Sequence, residues 1–374
     1  MHSLVFLLVE IVLFVIAFGL LVPISVLFVE CIAVLFPYRR AQSSVIAPRP
    51  RIDVLVPAHN ESTGIDATLL KLLPQLTAQD RLVVIADNCD DDTADIARKI
   101  GATVLEREEP ELRGKGYALD YGLQFIATDP PEVVVVVDAD CIVAQSTIEQ
   151  IAQQAIASAR PVQATYLMHQ PDNPGLKDLL SMLAVTVKNL VRPSGLKRLG
   201  LPCLLTGSGM AFPWSVITRV SLAGSKTVDD MQLALTLALA GHAPTYCQEA
   251  RVTGRLMKHH AAVSQRTRWE HGHLEFLLTQ VPHLVKQSVR QDRFDLFALA
   301  LELCVPPLSL LIMIWATAMG IALFAGGLRA SWIPAGLLAI EGLFISISVI
   351  VAWAKFGRTH LPLLTLLGVP LYIL

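Results

Sequence analysis

Asp138-Ala139-Asp140 closes the most apolar strand signal in the chain, the valine run Val133 to Val137. Two carboxylates separated by one small residue suit a hard divalent cation. Mg²⁺ or Mn²⁺ takes such oxygen ligands and keeps open positions for phosphate oxygens. In extended geometry the two side chains point to opposite faces. At a strand end the backbone turns, and both can face one ion or its waters. Taken alone, the pair also reads as a solvated strand cap. Two more apolar segments end in polar groups: Val54-Leu55-Val56-Pro57 runs into His59-Asn60-Glu61, and Leu82 to Ala86 runs into Asp87-Asn88. Their acids suit ribose hydroxyls and a base edge, so the three ends together ask for a nucleoside diphosphate with a metal. No G-x-G-x-x-G follows the first strand, and Gly114-Lys115-Gly116 lacks the upstream glycine of a P-loop. Both absences disfavour the common dinucleotide and triphosphate sites.

The elements that must position these groups alternate in type. Strands are expected at 51–57, 82–86, 102–105 and along the valine run. Helical spacing covers 64–73, 91–99 (opened by Asp91-Asp92-Thr93) and 115–125. A β-α-β-α-β order implies a parallel sheet with right-handed crossovers. Ligands of such sheets bind beyond the carboxyl ends of the strands, where the acids are.

The chain has 374 residues, 53% of them hydrophobic, and a net charge of −2. The charge gives no electrostatic case for nucleic acid. Six scattered cysteines without C-x-x-C spacing read as core or membrane residues of a reducing compartment. The apolar excess lies at the two ends. Leu4 to Phe36 is long enough to span a bilayer, which takes about 20 residues. It is too long for a signal peptide and has no basic segment before it. Arg39, Arg40, Arg49 and Arg51 follow, which puts the next domain in the cytoplasm by the positive-inside rule. Leu296 to Ala325 and Trp332 to Ala354 are the other expected spans, split by Gly326-Gly327, with Lys355 and Arg358 again on the inside. An apolar segment from Leu361 stops at Leu374, as in a chain that continues or in an interfacial piece. Glu10 and Glu302 interrupt apolar runs; such acids are functional candidates or pair with another helix. A helix expected from Ser264, carrying Gln265, Arg268 and Trp269, and the segment Leu176 to Leu190, with Lys188, Arg192, Lys197 and Arg198, read as interfacial along an anionic leaflet.

Further motifs complete a resemblance. The chain resembles membrane-bound family 2 glycosyltransferases, the group of cellulose, hyaluronan and poly-N-acetylglucosamine synthases. The likeness rests on VPAHNE (Val56 to Glu61), ADNCDDDTA (Ala86 to Ala94), GKGYAL with Lys115, DAD, TGSGMAF (Thr206 to Phe212), VDD (Val228 to Asp230) and QRTRW (Gln265 to Trp269), in that order. Two departures stand out: Asp229 occupies a position where glutamate is usual, and the spans are few for a synthase that threads a polymer through the bilayer.

The resemblance implies an α/β, GT-A-type (Rossmann-like) catalytic domain and an inverting, metal-dependent transfer from a nucleotide sugar, a UDP-sugar by preference. It assigns Asp230 as the general base, with Asp140 and Asp138 on Mg²⁺ or Mn²⁺. Pro57, Ala58, Glu61, Asp87, Lys115 and Asp138 would hold the nucleotide sugar. Gly207, Ser208, Gly209, Asp229, Gln265, Arg268 and Trp269 would face the acceptor. His271, His273 and Lys258-His259-His260 are weaker candidates. Three regions are expected: a membrane helix with its basic flank at 1–42, a cytoplasmic catalytic domain with interfacial helices at 43–290, and a membrane region at 291–374. The protein would be multi-pass in the inner or plasma membrane. Its acceptor would be a growing exopolysaccharide or cell-envelope glycan, or else a lipid. A second copy or a subunit of an export system would be its partner. A non-catalytic scaffold would have lost its base or metal acids, which are intact here. A transporter would show more spans and an inverted repeat.

Overall fold

The computed structural model describes residues 2–37, 48–169, 173–223, 229–255, 259–328, 330–358 and 361–362, with the side chains of 2–7, 229, 259–273 and 275 left aside. The chain forms two compact units. One takes in the described residues within 39–169 and 201–272, the other those within 1–38, 170–200 and 273–374.

The first unit is built on an eight-stranded sheet. In chain order its elements are β1 (Ile52–Ala58), α2 (Ile65–Leu72), β2 (Arg81–Asp87), α3 (Thr93–Ile100), β3 (Thr103–Arg107), α4 (Lys115–Ile126), β4 (Val133–Val136), β5 (Cys141–Val143), α5 (Thr147–Ser158), β6 (Val162–Met168), β7 (Met210–Pro213), α8 (Trp214–Ile217), α9 (Asp229–Leu239) and β8 (Thr245–Gly254). The helix α1 (His2–Ala33) precedes them in the other unit. The spatial order is β3-β2-β1-β4-β7-β6-β8-β5. The first four strands are parallel, as their sequence alternation predicts. The all-parallel expectation fails beyond β4. There β7 pairs antiparallel with both β4 and β6, so the sheet is mixed. The reason is that the chain leaves the sheet at Asp138-Ala139-Asp140 rather than entering another crossover helix, and β7 returns beside β4 from the opposite direction.

Four of the five valines form β4, each at most 3% exposed. Alternate residues face opposite layers. Val133, Val135 and Val137 pack with Val54, Val56, Ile65 and Leu69 on one side. Val134 and Val136 pack with Leu55, Ala118, Leu119 and Ala234 on the other. Burial on both faces explains the unbroken apolar run. Val137 lies past the strand, yet its N–H still donates to Leu55 O at 3.1 Å, which fixes where the acids begin.

The second unit is helical: α1, α6 (Leu176–Thr186), α7 (Arg192–Arg198), the latter part of α10 (His259–Gln291), α11 (Phe294–Cys304), α12 (Leu308–Gly327) and α13 (Ile333–Ala352). Among the described residues, three helices are long and apolar enough to cross a membrane: Leu8–Ala33, Leu308–Gly327 and Ile333–Gly357. The second expected span is thereby corrected. Residues 296–304 belong to a separate helix, because Pro306 and Pro307 have no N–H to continue it and Pro307 caps α12 in an extended conformation. Most of the apolar segment from Leu361 lies outside the described residues.

Arg192 corrects another expectation. It is no interfacial flank. It is 7% exposed, and its Nε donates to Glu30 Oε2 at 2.5 Å while its Nη2 donates to Glu302 O at 2.8 Å. Gly195, one turn on, makes this approach feasible: a Cβ there would meet Glu30 O at 2.0 Å. Glu10, the other acid in an apolar run, accepts the Ser331 N–H at 2.7 Å. Lys355 Nζ donates to Val34 O at 2.8 Å near the end of α1.

Candidate active site

The carboxyl ends of β1, β2 and β4 are knit together by short loops. His59 Nδ1 lies 2.8 Å from Asp87 O. Asn60 takes a positive φ of 56°, and its Oδ1 accepts from Asp90 N. The Glu61 N–H donates to Thr93 Oγ1 and the Ser62 N–H to Asp91 Oδ2. The sequence expected Asp91 to help open α3. It does so, and it also carries the Glu61 loop. Beyond β4, the Cys141 N–H donates to Asp138 O, the turn that lets both acids of the pair leave the strand on one side. Thr68 holds that turn from below through Ala139 O at 2.7 Å.

Lys115, at the start of α4, is the centre of the site. Its ammonium lies 2.6 Å from Asp138 Oδ1 and 3.6 Å from Asp230 Oδ1. It also donates to Gly207 O at 2.6 Å. Four segments far apart in sequence meet on one cation. Burial by itself would lower the lysine pKa, but the charges of Asp138 and Asp230 more than reverse it. Burial pushes the Asp138 carboxyl up to about 6 against the pull of Lys115, and the negative charges of Asp230 and Asp140 add to the rise. Glu61 is raised as well, first by burial and then by Asp140. Two carboxyls raised at one site, Asp138 and Glu61, mark it as a candidate functional site.

Asp230 is in the first turn of α9, where the helix N-terminus favours a carboxylate. Gly207 faces it with φ +103°, and a Cβ at that position would stand 2.8 Å from Asp230 Oδ2. Glycine is required there twice over, for backbone conformation and for room. Ser208 differs from expectation. It is fully buried, and its Oγ accepts the Asp138 N–H at 3.0 Å, so it supports the acid loop from inside. The Gly209 N–H donates to Val136 O, and Gly209 O accepts from Ala164 N. Gln163 clamps the same loop, donating to Ser208 O and accepting from Thr206 N.

Asp87 is 6% exposed, and its Oδ1 accepts from Arg107 Nη1 at 2.5 Å. The two residues are register partners on β2 and β3, and the Arg107 guanidinium lies 5.7 Å from the Tyr117 ring centroid. Sequence reasoning missed Arg107, Gln163 and Arg255. An arginine closing β3 beside an acid closing β2 was the available signal for the first; nothing local marks the other two. Arg255 donates its backbone N–H to Asp140 O and its guanidinium to Gly64 O. Pro57 and Ala58 end β1, with Ala58 only 4% exposed. The side chains of Asp229, Gln265, Arg268 and Trp269 lie outside the described residues. The backbone of the last three is within α10, which begins at His259, earlier than the expected Ser264.

The residues present fit a divalent cation. Asp138, Asp140 and Cys141 each offer a ligand atom, all within 4.8 Å of one another. The carboxylates are half-buried and supply hard oxygens. The Cys141 thiol is buried, and burial followed by the two aspartates raises its pKa.

A model of the family described as glycosyltransferase like family 2 matches residues 48–272. A stretch of 129 residues is 28% identical to a 4,4'-diaponeurosporenoate glycosyltransferase of Staphylococcus haemolyticus. It covers 32% of this chain and 33% of that protein, so the match spans about a third of the curated relative. A mannosyltransferase of Pyrobaculum calidifontis, solved with GDP-Man and Mn²⁺, superposes with a TM-score of 0.55 at 19% identity. The match covers 94% of this chain and 99% of that one, and shows a shared GT-A fold. A glucosyl-3-phosphoglycerate synthase of Mycobacterium tuberculosis aligns at 20% identity and a TM-score of 0.42, over 61% of this chain and 79% of its own.

Proposed function

The chain belongs to the glycosyltransferase family 2-like proteins, and from that premise we propose that it transfers a sugar, with inversion, from a nucleoside diphosphate donor to a membrane-proximal acceptor. The observation that carries this reading is the cluster at Lys115, which joins Asp138 of the donor side to Asp230 through one ammonium. Asp230 is the general base that takes the acceptor hydroxyl's proton. Lys115 stands where a diphosphate can take it over from the two aspartates, leaving Asp230 to the acceptor. Asp138 and Asp140 would hold Mg²⁺ or Mn²⁺, which would supply charge neutralisation at the leaving diphosphate. Arg107 pairs with Asp87 and fixes its carboxyl toward the base, and Glu61 reaches the ribose. Gly207 and Gly209 shape the acceptor side, and the family resemblance assigns Gln265, Arg268 and Trp269 to the acceptor as well. Superposition on a mannosyltransferase solved with GDP-Man and Mn²⁺ supports the donor and metal classes.

The catalytic domain, 43–290, is cytoplasmic by the arginines that follow α1, between membrane regions at 1–42 and 291–374. Within the synthase-like group, a growing exopolysaccharide or envelope glycan is one acceptor. A lipid is the other, and the small number of candidate spans among the described residues favours it. One assay separates them. Membranes holding the protein are incubated with a panel of labelled nucleotide sugars, and product is partitioned between organic solvent and insoluble polymer. Asp230→Asn is run beside the wild type. It should bind donor nearly as well and transfer nothing. Wild-type turnover by that variant would remove Asp230 from its role, and no transfer from any nucleotide sugar would overturn the whole reading.

A further inference from the structure

Arg255 stands one residue beyond β8 and touches two parts of the site that are far apart in sequence. Its backbone N–H donates to Asp140 O at 3.0 Å, one rung past the Cys141–Gly254 pair of the β5–β8 ladder. Its side chain crosses to the loop between β1 and α2. There Nη1 donates to Thr63 O at 3.4 Å, and Nη2 donates to Gly64 O. A planar guanidinium holds its donors in a fixed fork, so it can take two successive carbonyls at once. Those carbonyls belong to the turn of Glu61, whose own carbonyl accepts the N–H groups of Gly64 and Ile65 at 3.0 Å each. The charge of Arg255 also reaches the Glu61 carboxyl. Burial raises that group first and Asp140 next, and Arg255 opposes both.

Gly64 is shaped around this contact. A Cβ built on it would fall inside the Arg255 guanidinium. Its φ of −171° is extended backbone that any residue adopts. Room for the arginine, and not strain, therefore calls for glycine. A second tie joins the same segments from the other side, where Thr68 of α2 donates to Ala139 O at 2.7 Å. The Glu61 turn, α2, the Asp138-Ala139-Asp140 turn and Arg255 thus close a ring of contacts.

We propose that Arg255 is a positioning residue that locks the loop bearing Glu61 to the turn bearing Asp140, so that the ribose end and the metal end of the donor site are coupled through the protein. This rests on the proposed donor site, in which Glu61 serves the ribose and Asp140 the cation. Both terminal nitrogens of Arg255 are engaged by backbone carbonyls, so it acts through the two loops. Coupling of this kind is reciprocal: what orders one end tightens the other. The Thr68 tie remains when the arginine is removed, so the register loosens while the sheet stays folded.

The test uses the full chain in lipid nanodiscs and the variants Arg255→Met, Gly64→Ala and their double. Gly64→Ala alters only the nucleotide loop, yet its added methyl displaces the guanidinium. Hydrogen exchange read by mass spectrometry, with neither nucleotide nor metal added, should rise in peptides spanning 138–143 and 251–255 in each single variant. Mn²⁺ affinity, with free ion counted by electron paramagnetic resonance and no nucleotide present, should fall severalfold in each. The double variant should match Arg255→Met in both measurements, because the methyl enters space the arginine has left. Arg255→Lys keeps the charge without the fork, and exchange should stay raised in it. Wild-type exchange at 138–143 and wild-type Mn²⁺ affinity in Gly64→Ala would overturn the lock. Losses that multiply in the double variant would overturn it as well, since the two residues would then act separately. Full recovery in Arg255→Lys would overturn the part given to the fork. Failure of the proposed activity looks different: a wild type that binds no Mn²⁺ removes the metal role of Asp140, while the metal-free exchange comparison still decides the lock.

Discussion

Lowering the pH from 7 to 5 should strip a divalent cation from this protein far more effectively than from an ordinary aspartate pair. The Asp138 carboxyl is pushed up to about 6, chiefly by burial, with Asp230 and Asp140 adding to the rise and Lys115 opposing it. A metal binds the carboxylate and not the acid, so proton and metal compete. With a pKa of about 6 the group is about nine-tenths ionised at pH 7 and about one-tenth at pH 5, so apparent affinity falls about tenfold. An aspartate at its usual value near 3.9 would lose less than about a tenth of its ionised form over the same range. The assay is a titration with Mn²⁺ in which free ion is counted by electron paramagnetic resonance at pH 5, 6 and 7. Lys115→Met sharpens the test. It removes the charge 2.6 Å from Asp138 Oδ1. Hydrogen bonds to charged groups contribute about 1.5–3 kcal/mol, and one pH unit corresponds to about 1.4 kcal/mol. The midpoint of the pH dependence should therefore rise by about one to two units. Equal Mn²⁺ affinity at pH 7 and pH 5, or a midpoint that falls in Lys115→Met, would refute the reasoning.

Other expectations follow from single contacts. Gly207→Ala combines a positive φ with a Cβ 2.8 Å from Asp230 Oδ2; transfer should fall at least about tenfold, one tenfold step being about 1.4 kcal/mol of barrier, while donor binding measured by calorimetry stays within a few-fold. Arg192→Met strands Glu30 in the helical unit and should cost about 3–5 kcal/mol of stability, as breaking one partner of a buried pair does. The double variant Glu30→Gln/Arg192→Met should recover much of that loss in thermal unfolding, and a double variant less stable than the single would count against the pair. Arg107→Met leaves Asp87 buried without its cation; the donor KM should rise more than kcat falls, and an unchanged donor KM would detach Arg107 from base recognition.

Much of this protein was decided within short windows of sequence. The parallel strands β3, β2, β1 and β4 follow from period-two and unbroken apolar runs, and the acids at their carboxyl ends mark the site without any knowledge of packing. Length and hydropathy alone locate the spans at 8–33 and 333–357, because a bilayer's thickness sets the count. Local pattern could not see the break at Pro306-Pro307 inside an apolar run, nor the antiparallel return of β7. Partner choice is less local still. Lys115 reaches Gly207 across 92 residues of chain, and Arg192 reaches Glu30 across 162. Residue type told that Lys115 is a cation and Asp230 an acid. Only the packing of α4 against the loop before β7 and the start of α9 decided that one ammonium serves both aspartates. The same holds for Arg192, which reads as a surface flank in sequence and is a buried counter-ion in the fold. Spacing along one element records its own face. What lies opposite that face depends on where distant segments pack, which only the tertiary structure decides.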